Sequence, residues 1–107
     1  IHWLNAIRCE LEQRIEKSIN AVVTCSALKD SYRKILSISS EVQFIYLKIE
    51  ENNARERLFQ RPDHFFNQTL IWSQFRDLEE PLNTFTLKGM LPSETLVHEI
   101  ISHYGLY

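Results

Sequence analysis

The stretch AVVTCSALKDSYRKILSISSEVQFIYLKI, residues 21–49, decides the fold class. Ala21, Val22, Val23 and Thr24 make a short apolar, partly β-branched run that suits a strand buried on both faces. From about residue 28 to 38, Leu28, Tyr32, Ile35 and Leu36 return to helical spacing, with Lys29, Asp30, Arg33 and Lys34 between them. Residues 42–49 are again nearly continuously apolar. Strand, helix and strand over this length predict a parallel crossover, and hence an α/β class.

Upstream, Trp3, Ile7, Leu11, Ile15 and Ile19 recur every fourth residue, with Glu10, Glu12, Gln13 and Glu16 between them. That period predicts an amphipathic helix over residues 3–18. No capping residue precedes it and the first residue is Ile1 rather than methionine, so the chain reads as cut at its start. Downstream, residues 53–60 and 68–78 predict two helices, parted by Pro62 and the polar Arg61, Asp63 and His64, a candidate mobile loop. Residues 85–87 predict a short strand. Pro92 suits a first helical turn and Gly105 a stop, which places a final helix over residues 93–104.

Composition narrows the function classes. A chain of 107 residues, 44% hydrophobic, with no internal repeat and only two glycines and three prolines, predicts one domain over residues 1–107. A net charge of −2 and a pI near 6.1 give no general attraction to nucleic acid or to an anionic membrane surface. No apolar run approaches the roughly 20 residues that span a bilayer, and no secretory pattern opens the chain. These features predict a soluble, cytoplasmic protein. Cys9 and Cys25 have neither CxxC spacing nor nearby histidines, which predicts free thiols.

In open α/β sheets, ligands sit beyond the carboxyl ends of the strands. Here that end carries Thr24, Cys25, Ser26 and, one turn into the helix, Lys29. Lys29 and Arg33 are four apart, a spacing that fits either a pair neutralising a carboxylate or phosphate, or a solvated basic face. Ser26 lacks a GxSxG elbow, so hydrogen bonding or packing suits it better than nucleophilic attack. Arg55, Arg57 and Arg61 flank the Pro62 break, where mobile arginines would stabilise charge on a transferring phosphate; arginine on a polar helix face is equally ordinary. His98 and His103 are five apart, about 140° around a helix, which is wrong for an HExxH zinc site. His2 and His64 stand without ligand partners at metal-site spacing.

Read in order, WL (Trp3, Leu4), VVTCSALKDSYRKIL (residues 22–36), FIYLK (44–48), RLFQRPDHFF (57–66) and LIWSQFRDLEEP (70–81) resemble the gluconokinases, a group of P-loop small-molecule kinases. The specific elements are CSALK with its YR, and HFF with its SQF and LEEP. Residues 82–107 match only as a last strand and helix, and residues 84–90 depart from the family's acidic wording.

The resemblance implies a three-layer, parallel-sheet P-loop kinase fold of the shikimate-kinase and nucleoside-monophosphate-kinase kind, here without its first strands and P-loop. It implies the reaction of ATP with D-gluconate to give ADP and 6-phospho-D-gluconate, with Mg2+ bridging the nucleotide phosphates, and frequent homodimers. By position, Ser26, Lys29 and Arg33 would line the gluconate and phosphate side, and Arg57, Arg61 and His64 a lid over ATP, with Gln74 near it. Lys29 and Arg61 would be the catalytic pair.

The family begins with a strand, the loop GxxxxGK[ST] and a helix ahead of WL, and none of these occurs in the 107 residues. The loop supplies most of the phosphate cradle, so this chain alone is expected to be inactive, and an open position in its sheet is expected to lower its stability. An upstream segment of roughly 50–60 residues bearing GxxxxGK[ST] is the expectation for a complete kinase. Two other readings stand beside it. One is a non-catalytic truncated product that binds a partner through exposed strand edges. The other is a related P-loop kinase with another small-molecule substrate.

Overall fold

The computed structural model describes residues 2–59 and 68–106. Its elements are α1 (His2–Glu16), α2 (Asp30–Leu36), β1 (Ile45–Lys48), α3 (Glu51–Phe59), α4 (Gln68–Asp77), β2 (Phe85–Lys88) and α5 (Ser93–Tyr104). Helices alternate with parallel strands, as an α/β class requires. The chain divides into two compact units, residues 1–44 with 76–82, and residues 45–75 with 83–107.

In the first unit, α1 turns Leu4, Ile7, Leu11 and Ile15 inward, and Leu4 is wholly buried. Its partner α2 buries Leu36 at 2% exposure. On the outer face of α1, Arg8 pairs with Glu12 at 3.1 Å and Arg14 with Glu10 at 2.9 Å. Such exposed pairs, one helical turn apart, contribute about 0.3–0.5 kcal/mol each. The helix ends in a left-handed residue, Ser18 (φ 54°), whose N–H donates to Ile15 O at 3.1 Å, while the N–H of Ile19 donates to Arg14 O at 2.9 Å. This is a Schellman stop built without glycine.

Residues 19–28 form neither helix nor strand. The strand expected at Ala21–Thr24 is therefore absent, and Val22 is 95% exposed. A β-branched run becomes a strand only where a neighbour supplies a hydrogen-bonded ladder, and among the described residues none pairs with it. The crossover expected over residues 21–49 is correspondingly not formed. The parallel pair is instead β1 with β2, in the second unit, connected through a segment that contains α3 and α4.

In that unit the register is Ile45 to Phe85, Tyr46 to Thr86, Leu47 to Leu87 and Lys48 to Lys88. Residues 42–44 lie outside the strand, since the N–H of Val42 turns back to Ser39 O at 3.1 Å. The amide of Gly89 closes the far end of the ladder on Lys48 O at 2.7 Å. Phe85 stacks on His103 of α5, with centroids 3.7 Å apart and planes 7° apart, and meets Tyr104 edge-on at 5.9 Å. Ile71 on α4 is buried. Gly105, at φ 65°, stops α5, the N–H of Leu106 reaching back to Ile101 O at 3.0 Å.

Candidate functional site

Two stretches distant in sequence meet in the first unit, at the start of α2. Leu28 turns back on Ser26, its N–H donating to Ser26 O at 2.8 Å, and Lys29 takes the cap position in extended conformation (φ −103°, ψ 146°). The Lys29 side chain makes no cap hydrogen bond. Its carbonyl opens the helix, accepting from the N–H groups of Tyr32 at 3.0 Å and Arg33 at 3.2 Å.

The helix is capped from 49 residues away: Glu79 Oε1 accepts from the N–H of Asp30 at 2.7 Å. A carboxylate there satisfies one of the unpaired first-turn donors and places negative charge at the positive end of the helix dipole. The same glutamate donates its own N–H to Leu28 O at 2.8 Å.

Arg33 completes the joint. The residue is 9% exposed, with Nη1 donating to Ala27 O at 2.7 Å and Nη2 to Glu79 O at 2.6 Å. A planar cation bridging two carbonyls makes charge-assisted bonds that a lysine cannot duplicate, because one ammonium cannot present the same fork. Arg33 is thus held inside, whereas the spacing alone left a solvated basic face open. It lies three residues before the buried Leu36, on the inward side of α2, which is the one sequence signal of its burial.

Ser26 is exposed in the turn, and Lys29 is half-buried with Nζ 5.8 Å from the centroid of the Tyr32 ring. Tyr32 in turn meets Trp3 edge-on at 6.0 Å. Ser26, Lys29 and Arg33 thus follow one another along the turn and the start of α2, with Ser26 exposed and Arg33 turned inward. Glu79 and Tyr32, which spacing did not single out, complete the group.

Arg57 and Gln74 lie in the second unit. Arg57, in the last turn of α3, lines a surface concavity of about 470 Å³ with Gly89, Leu91, Pro92, Ser93 and Leu96. Gln74 is half-buried on α4. Arg55 is drawn back to Glu51 at 3.2 Å, and its Nε is buried without a hydrogen-bond partner. Arg61 and His64, with the Pro62 break, lie outside the described residues. No group of three or more His, Cys, Asp or Glu side chains among the described residues is arranged to hold a metal ion.

No family model matches the chain. Curated proteins do. Over 80 residues it is 34% identical to the thermoresistant gluconokinase of Escherichia coli, a match covering 74% of this chain and 46% of that protein. It is 29% identical over 106 residues to the gluconokinase of Gluconobacter oxydans, covering 95% of this chain and 60% of the relative. This chain is gluconokinase-like.

A plant protein extends the pattern: the Arabidopsis thaliana gluconokinase is 30% identical over 115 residues, across 92% of the gluconokinase-like chain and 61% of its own length. The chain thus spans about half to three-fifths of the length of these relatives. A crystal structure of a gluconokinase from Sinorhizobium meliloti superposes with a TM-score of 0.68 at 24% identity, covering 95% of this chain and 74% of that one. The fold of the gluconokinase-like chain is that of this kinase. No helix among the described residues is long and apolar enough to cross a membrane.

Proposed function

We propose that this chain is the gluconate-handling part of an ATP-dependent gluconokinase, converting ATP and D-gluconate to ADP and 6-phospho-D-gluconate in the cytoplasm. The observation that carries the reading is the joint between residues 26–33 and Glu79. It ties together the two stretches that resemble gluconokinases and fixes the turn that carries Ser26 and Lys29.

The transfer forms a bond between the substrate hydroxyl oxygen and the γ-phosphorus and breaks the bond from that phosphorus to the ADP oxygen, the hydroxyl proton being lost. Catalysis of such a step is mostly positioning and neutralisation of charge. Ser26 and Lys29 serve the gluconate side, the ammonium facing the carboxylate or the moving phosphoryl group, and Arg33 belongs to the same side. Arg57, Arg61, His64 and Gln74 serve the nucleotide side, with Arg61 neutralising charge on the phosphoryl oxygens. The motif GxxxxGK[ST], which would supply a backbone cradle for the phosphates, does not occur in these 107 residues.

Mg2+ would supply charge neutralisation between the nucleotide phosphates. The homodimer common among gluconokinases is part of the same proposal.

The test is a coupled assay of the complete gene product with ATP and gluconate, reading 6-phosphogluconate formation, with shikimate and glucose as competing acceptors. Turnover of gluconate alone is the expected result. Absence of gluconate turnover, or preference for another acceptor, overturns the reading.

A further inference from the structure

Lys29 is bracketed on both sides. Ala27 O is held by Arg33 Nη1, Leu28 O by the N–H of Glu79, and the N–H of Asp30 by Glu79 Oε1. Arg33 and Glu79 are themselves joined at 2.6 Å. Every backbone group fixed in this way belongs to an immediate or next neighbour of Lys29, so the direction in which its side chain leaves the backbone is set by two residues. Tyr32 adds a wall, its ring 5.8 Å from the Lys29 ammonium and backed by Trp3.

We infer that Arg33 and Glu79 are positioning residues for the gluconate carboxylate, holding the turn before α2 so that the Lys29 ammonium is presented to it. The inference rests on the gluconokinase reading and deepens it. Arg33 acts through the main chain, with its guanidinium committed to two carbonyls. Lys29 is the cation that meets the anion. A lysine is a compact charge on a flexible stem, and its usefulness as an anion ligand depends on where its backbone is fixed. Holding it in advance removes part of the ordering cost that substrate binding would otherwise meet.

The roles separate in the kinetics of the complete gene product. Glu79→Ala deletes only the cap on Asp30, since the Glu79 main-chain bonds remain. It is expected to raise the KM for gluconate about tenfold, while the KM for ATP and kcat change by less than about threefold. Glu79→Gln keeps an oxygen facing the Asp30 N–H and is expected to restore a near-normal KM for gluconate. Arg33→Lys keeps the charge and loses the fork, and is expected to behave like Glu79→Ala. Thermal midpoints measured alongside report folding, and if Arg33→Lys does not fold, the Glu79 pair decides.

A lower midpoint with the gluconate KM within about twofold of normal overturns the positioning role and leaves the kinase reading intact. A rise of equal size in both KM values also overturns it, because the whole site has then loosened. A wild-type protein that does not turn over gluconate overturns both.

Discussion

The guanidinium of Arg33 and the main-chain carbonyl of Glu79 are joined at 2.6 Å across 46 positions of sequence. With the second bond to Ala27, a buried cation ties the turn before α2 to the segment after α4. Each charge-assisted bond contributes about 1.5–3 kcal/mol net, and a carbonyl left unpaired adds a desolvation cost. Arg33→Ala is therefore expected to lower stability by about 3 kcal/mol, read as a shift of the urea midpoint. A loss below about 1 kcal/mol would mean that water replaces the fork.

The Schellman stops of α1 and α5 make opposite predictions. Ser18 holds a left-handed conformation with a side chain attached, at φ 54°. Such a residue costs about 1–2 kcal/mol, against about 0.5–1 kcal/mol of extra chain entropy that glycine loses on folding. Ser18→Gly is expected to gain about 0.5–1 kcal/mol. Gly105→Ala is expected to lose a similar amount, through the dihedral alone, because nothing lies within 4 Å of the added carbon.

At Gly89 the constraint is space. A Cβ there would lie 3.1 Å from Lys48 O, the oxygen that its own amide bonds at 2.7 Å. Gly89→Ala pushes apart the ends of β1 and β2 and is expected to cost about 1–2 kcal/mol. It should also raise hydrogen exchange at the amides of residues 45–48 and 85–88.

Residues 21–24 test the fold differently. Without a ladder their amides are expected to exchange near the rate of an unfolded chain, while those of β1 are protected. Protection at Val22 and Val23 would mean that another strand lies against them.

What was legible in the sequence is what depends on neighbours in sequence. The final helix begins at Ser93 and ends at Tyr104 as read, because Pro92 and Gly105 mark its limits locally. The helices α1 to α4 and the strand β2 fall within a residue or two of their expected bounds. The strand at Ala21–Thr24 failed because a strand is a property of a pair, and an apolar run does not say whether its partner is present. The site was legible only in part for the same reason. Lys29 and Arg33 are picked out by charge and spacing, but their fates differ: Lys29 is half-buried beside the Tyr32 ring, and Arg33 is bonded inside to Ala27 O and Glu79 O. Nothing in the local pattern links Glu79 to Asp30.

The first unit is discontinuous, with residues 76–82 returning to residues 1–44. During synthesis, α1 and α2 leave the ribosome well before the residue that caps α2. At roughly 5–20 residues per second the 46 positions from Arg33 to Glu79 take about 2–9 s to appear. For that interval Arg33 lacks one of its two acceptors and the Asp30 amide lacks its carboxylate. The nascent chain must keep an incomplete unit from associating with its neighbours, and a slow codon or a chaperone acting within those seconds would have its greatest effect there.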